Sequence, residues 1–98
     1  MEYFIAQTDE FEQWLVSLKD RTVRRMVVAR IERIRNGNFG DHKTFGSLGE
    51  LRFKSGAGIR VYYTIRKQQI VFLLAGGDKT TQQKDFEKAR AMIAALED

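Results

Sequence analysis

The chain has 98 residues, 43% of them hydrophobic and 31% charged, with a formal net charge of +4. That allows one small domain and not two, with the composition of an ordinary globular protein. The absence of cysteine excludes disulfides, thiolate zinc sites and cysteine nucleophiles.

Residues 2–7 are rich in β-formers and predict a first strand. They carry no basic start or long apolar run, so no signal peptide is expected and the cytoplasm is the expected location. Thr8 or Asp9 can cap the helix that follows, with Glu12 placed as in a capping box. Phe11, Trp14, Leu15 and Leu18 form one face of that helix. A short link, Lys19-Asp20, leads to a second helix over Arg21 to Arg35, which suggests a helical hairpin. Its apolar stripe is Val23, Met26, Val27, Ile31 and Ile34. Its other faces carry Arg21, Arg24, Arg25, Arg30, Arg33 and Arg35. Asn36-Gly37 supplies a left-handed stop.

Asn38 to Ser47 is polar and contains glycine, and reads as a loop. Leu51 and Phe53 then alternate with Glu50, Arg52 and Lys54, the period of a half-buried strand. After a Ser55–Gly58 turn the next strand places Ile59, Val61, Tyr63 and Ile65 on one face and Arg60, Tyr62, Thr64 and Arg66 on the other. Lys67-Gln68-Gln69 turns the chain again. Ile70 to Ala75 is apolar throughout, as expected for a strand covered on both faces, and is far too short to span a bilayer. Gly76-Gly77 ends it. Thr80 or Thr81 can cap a last helix with the stripe Phe86, Ala89, Ile93 and Leu96.

These elements predict a single α+β domain over residues 1–98, in the order β-α-α-β-β-β-α. An antiparallel sheet of three or four strands carries the helical hairpin on one face, and the last helix packs at an edge. The other face would present Arg52, Lys54, Arg60 and Tyr62. Charge is uneven along the chain: residues 1–18 hold four acids and no base, whereas residues 19–43 hold eight Lys/Arg against three acids. A basic middle suits a polyanion or an acidic partner, or else forms a solvated helix face.

The usual catalytic constellations are absent. His42, in the polar loop, has no nearby His or Cys for a metal site, and no serine motif resembles a nucleophile elbow. The glycines form neither a dinucleotide fingerprint nor a P-loop. What remains is Arg52, Arg60, Tyr62 and Lys79. Arginine holds phosphate through paired hydrogen bonds, and tyrosine can stack on a base. RNA carries its own nucleophile, the 2′-hydroxyl. A site must align it, stabilise the transition-state charge and assist proton transfers. Arg and Lys can do the second without a metal, and no cofactor is expected; the third is the weak point because Arg stays protonated. The same residues also fit the solvated face of a sheet.

Several segments carry a family resemblance in order. They are Trp14-Leu15-Val16-Ser17-Leu18-Lys19-Asp20, Arg30-Ile31, Asn36-Gly37-Asn38-Phe39-Gly40-Asp41, Glu50-Leu51-Arg52, Gly58-Ile59-Arg60-Val61-Tyr62-Tyr63, Leu73-Leu74-Ala75-Gly76-Gly77-Asp78-Lys79, and Gln82 with Lys84-Asp85. Together they resemble the RelE/ParE toxin superfamily, and within it the phage Gp49-like group of addiction-module killer proteins related to HigB toxins. The resemblance covers about residues 3 to 95. It implies a twisted antiparallel sheet backed by a helical hairpin. It also implies the toxin of a type II toxin–antitoxin pair. The partner would be an antitoxin encoded next door, often a helix-turn-helix DNA-binding protein through which alone operator DNA is reached.

Superfamily members that cut mRNA on the ribosome do so without metal. By that likeness Arg60 would hold the scissile phosphate, Lys79 would take the place of a second arginine, and Arg52 would match another basic position. Tyr62, Lys54, Arg24 and Arg25 would contact RNA. Glu50 and Leu48 stand on a strand where the RelE branch has lysines, Asp85 stands where it has a tyrosine, and the site histidines of HigB members have no counterparts. Two alternatives to a ribosome-dependent mRNA endonuclease stay open: a ParE-type toxin that binds and poisons DNA gyrase without catalysis, and a regulator derived from a toxin.

Overall fold

In the computed structural model, which describes residues 2–96, the elements run β1 (Phe4–Gln7), α1 (Asp9–Ser17), α2 (Arg21–Arg35), β2 (His42–Phe45), β3 (Leu48–Arg52), β4 (Arg60–Arg66), β5 (Ile70–Gly77) and α3 (Gln82–Leu96). Local chemistry sets the helix ends. The Thr8 hydroxyl accepts from the Phe11 amide at 3.0 Å and donates to the Leu74 carbonyl at 2.7 Å, so one side chain caps α1 and ties it to β5. Asp20 caps α2 by accepting from the Thr22 and Val23 amides. At the far end of α2, Gly37 takes φ 90°. The Gly37 and Asn38 amides there donate to the Ile34 and Arg33 carbonyls, a Schellman stop.

The sheet has five strands in the order β1-β5-β4-β3-β2. β2/β3, β3/β4 and β4/β5 pair antiparallel, but β1 pairs parallel to β5. The expected purely antiparallel sheet of three or four strands is therefore corrected on both counts. The hairpin leads into β2, which runs antiparallel to β1, and the three reversals from β2 to β5 bring β5 parallel to β1. The second correction is the Asn38–Ser47 loop, which contains β2. The residues of β2 are exposed except for the half-buried Phe45. An edge strand held chiefly by its backbone ladder to β3 leaves no apolar alternation to read.

The α1–α2 hairpin covers one face. Its core joins Phe11, Val27 and Ile34 to Leu51, Val61, Tyr63, Val71 and Leu73. The opposite face is covered as well: Leu48, Tyr62 and Leu74 pack under Ala89 and Ile93 of α3, with Phe45, Phe72 and Phe86 at the margin. The last helix thus lies across a face, not at an edge. An extra residue makes this possible where Tyr62 pairs with Ala75 but Tyr63 with Leu73, leaving Leu74 as a bulge. Two consecutive glycines complete the fit. A Cβ on Gly76 would collide with the Trp14 ring of α1, and one on Gly77 with the Asp85 carboxylate of α3. No helix among the described residues is long and apolar enough to cross a membrane.

Candidate functional site

The period-two face of β3 and β4 that does not meet the hairpin carries Glu50, Arg52, Arg60 and Tyr62. Arg52 and Arg60 are direct cross-strand partners, as are Glu50 and Tyr62. Two like charges opposite each other repel. Glu50 answers that repulsion from the same face. Its carboxylate is 1% exposed, accepts from Arg52 Nε at 3.0 Å and lies 3.8 Å from Arg60 Nε. Gln82, in the first turn of α3, donates its side-chain amide to the same carboxylate at 3.2 Å. Both side chains keep part of their surface in solvent, 38% for Arg52 and 20% for Arg60.

Lys79 reaches this cluster from the end of β5. Its amide donates to the Ala57 carbonyl at 3.1 Å, and Arg60 Nη1 donates to the Gly58 carbonyl at 2.7 Å. Gly58 has φ +67°, and a Cβ there would stand 3.0 Å from Lys79 Cβ and 3.1 Å from Arg60 Nη1. Glycine is thus what lets the two basic stems close on one turn. Asp78 lies beside Lys79, but its carboxylate is engaged by the Thr80 hydroxyl and amide. Those donors hold it below the usual carboxylate range. The buried Asp85 takes the Thr81 hydroxyl at the start of α3.

The structure pairs Arg52 with Arg60 across Glu50 and sets the Lys79 stem beside Arg60. Tyr62 is a correction. Alternation alone puts it on an open basic surface, yet it is 0% exposed, under α3, edge-on to Phe86. Its ring has no face for a base. Burial first, and then the nearby Glu50 charge, pushes its hydroxyl well above the ordinary tyrosine range. The neutral hydroxyl donates to the Gln82 carbonyl at 3.3 Å. Tyr62 therefore fixes the helix turn whose side chain holds Glu50. Lys54 lies exposed beyond the end of β3.

Arg24 and Arg25 sit on α2, across the sheet from Arg60. Arg24 spends its guanidinium on the Leu18 carbonyl, closing the hairpin, while Arg25 is exposed. Arg30 is likewise committed inside the protein. It donates to the carbonyls of Phe39, Asp41 and Arg52 and stacks 4.3 Å over Phe53. Burial, and then Arg33 nearby, lower its pKa from the ordinary arginine value.

Glu50 is the site residue that sequence reasoning missed. Glu50 and Arg52 stand two apart on one strand, and so share a face, which was the available signal. Among the described residues no three His, Cys, Asp or Glu side chains gather as metal ligands.

The family model described as phage-derived protein Gp49-like (DUF891) matches residues 13–96. An uncharacterized protein of Haemophilus influenzae is 41% identical over 93 residues, covering 94% of each chain. Among solved structures, an arginine-to-alanine double mutant of the E. coli toxin RelE in the free state superposes with a TM-score of 0.78. It has 18% identity, over 95% of this chain and 99% of that one. The intact E. coli RelBE toxin–antitoxin complex matches with a TM-score of 0.61 and 19% identity, over 78% of this chain and 95% of that one. At such identities the two structures establish a shared fold.

Proposed function

The chain belongs to the phage-derived Gp49-like family, and from that membership and its RelE fold we propose that it is the toxin of a toxin–antitoxin pair, acting as a ribosome-dependent, metal-independent mRNA endonuclease. The observation that carries this reading is the pair Arg52 and Arg60 on one buried carboxylate, with the Lys79 stem beside Arg60 at the Gly58 turn. Cleavage of RNA by its own 2′-hydroxyl forms a bond from the 2′-oxygen to phosphorus and breaks the bond to the 5′-oxygen. One proton passes from the 2′-oxygen to water and one from water to the 5′-oxygen, since the arginines stay protonated throughout. The step builds negative charge on the phosphoryl oxygens. Guanidinium groups fixed before the substrate arrives stabilise that charge without reorganising.

Arg60, held by its bond to the Gly58 carbonyl and less exposed than Arg52, would grip the scissile phosphate. Arg52 would hold a neighbouring phosphate, and Lys79, exposed on a flexible stem, would follow the charge as it develops. Glu50 and Gln82 set the spacing of the two arginines. The antitoxin, the ribosome and mRNA are the partners of this reading. The intact RelBE toxin–antitoxin complex supplies the precedent of an antitoxin on this fold.

Primer extension on an mRNA in a reconstituted bacterial translation reaction tests it. The wild type should produce cuts that need ribosomes, and Arg60→Ala should reduce them by about 10²- to 10³-fold while keeping its fold. Intact mRNA at doses that still stop growth would overturn the nuclease reading and point to gyrase or another non-RNA target.

A further inference from the structure

A second basic feature lies on the hairpin side of the sheet, away from Arg60. Thr22, Arg25, Met26, Ala29, Arg30 and Arg33 of α2 line a groove of about 360 Å³ together with Phe53. These positions follow one another along three turns of one helix face, a span of about 16 Å. The floor is apolar: Met26 is half-buried and the Phe53 side chain is buried. Arg30 forms a fixed wall, since its guanidinium is bonded to three carbonyls. Arg25 and Arg33 stand exposed at the rim, and neither forms an ion pair among the described residues. Their α-carbons lie eight positions apart on the helix, about 12 Å.

We propose that this groove docks an acidic amphipathic helix of a partner protein. An apolar side chain of that helix would sit between Met26, Ala29 and Phe53, and acids about two turns apart on the partner would meet Arg25 and Arg33. Charge complementarity selects an acidic partner. The floor selects protein over RNA. Single-stranded RNA binds by stacking bases on open aromatic faces, and the one ring here is buried and roofed by Arg30. The inference stands on this groove and is independent of the nuclease reading, because it uses none of the residues around Glu50.

Fluorescence anisotropy with the full chain tests it. The probes are a labelled synthetic amphipathic helix with a leucine stripe flanked by glutamates, its lysine-flanked counterpart, and a single-stranded oligouridylate. The acidic helix should bind and shift the amide resonances of Thr22, Met26, Ala29 and Phe53. Binding should weaken about tenfold or more in the double variant Arg25→Glu/Arg33→Glu. Ala29→Trp, which fills the groove from an exposed position without changing charge, should also block it. Ribosome-dependent RNA cleavage should survive Ala29→Trp, which touches none of the residues expected to contact RNA. Equal binding of the lysine-flanked helix, unchanged affinity in both variants, or displacement by the oligouridylate would overturn the proposal, the last by reassigning the groove to RNA.

Discussion

Replacing Glu50 by glutamine keeps the size and one acceptor oxygen but removes the charge between Arg52 and Arg60. A hydrogen bond to a charged partner contributes about 1.5–3 kcal/mol. The Arg52 bond is discounted toward about 1 kcal/mol because that side chain is 38% exposed. The longer pair with Arg60, 3.8 Å away and 20% exposed, adds roughly 0.5 kcal/mol. The uncovered cross-strand repulsion adds roughly another 0.5 kcal/mol. Glu50→Gln should therefore lose about 2 kcal/mol, a fall in Tm of roughly 8–16 °C for a domain of this size. Salt should restore part of it by screening the two arginines. Thermal unfolding by circular dichroism at low and high salt reads both effects. A variant as stable as the wild type, or more stable, would refute the reasoning. It would mean that the cost of burying the carboxylate cancels its two ion pairs.

Gly76→Ala should cost about 1–3 kcal/mol, because its methyl group enters the space of the Trp14 ring. In a double-mutant cycle Trp14→Ala should relieve much of that penalty, and strict additivity would count against the contact. Arg30→Ala should remove about 2 kcal/mol and speed amide exchange at Arg52, whose amide donates to the Asp41 carbonyl beside the Arg30 clamp; unchanged exchange there would mean that the loop is held without it.

Burial pushes the Tyr63 hydroxyl from its ordinary 10.0 up to about 12. The unfolded chain thus releases this proton first on titration with base. The resulting contribution to stability is intact below the ordinary value and is lost as pH rises from there to the folded value. Tyr63→Phe should flatten the stability loss across that window, and an unaltered alkaline profile would assign the loss to other groups.

Much of the fold was legible because it rests on local patterns. Thr8 and the Asn36-Gly37 stop set helix ends by hydrogen bonds within a few residues, and period-two alternation placed Leu51, Val61 and Tyr63 on one buried face. The Asp20 cap, read only as a link, emerged with the structure. Arg52 and Arg60 could be put on a common face for the same reason. The polar β2 could not be read, since its pairing belongs to the backbone of β3.

Alternation sorts side chains into two faces but does not say what covers each one. The uniformly apolar β5 already implied a cover on both sides, and that cover is α3. Once α3 lies there, Tyr62 passes from the expected RNA surface into the core, and Glu50 from a solvated position to a buried one between two guanidinium groups. The arginines of α2 divide in the same way. One sequence pattern holds Arg24 and Arg30, turned inward to backbone carbonyls, and Arg25 and Arg33, left outward for a partner. Sequence determined which residues share a strand or helix face, because that depends on backbone geometry over a few positions. Tertiary structure alone decided which polar groups face water and which face one another, because that depends on contacts between residues as distant as Glu50 and Gln82.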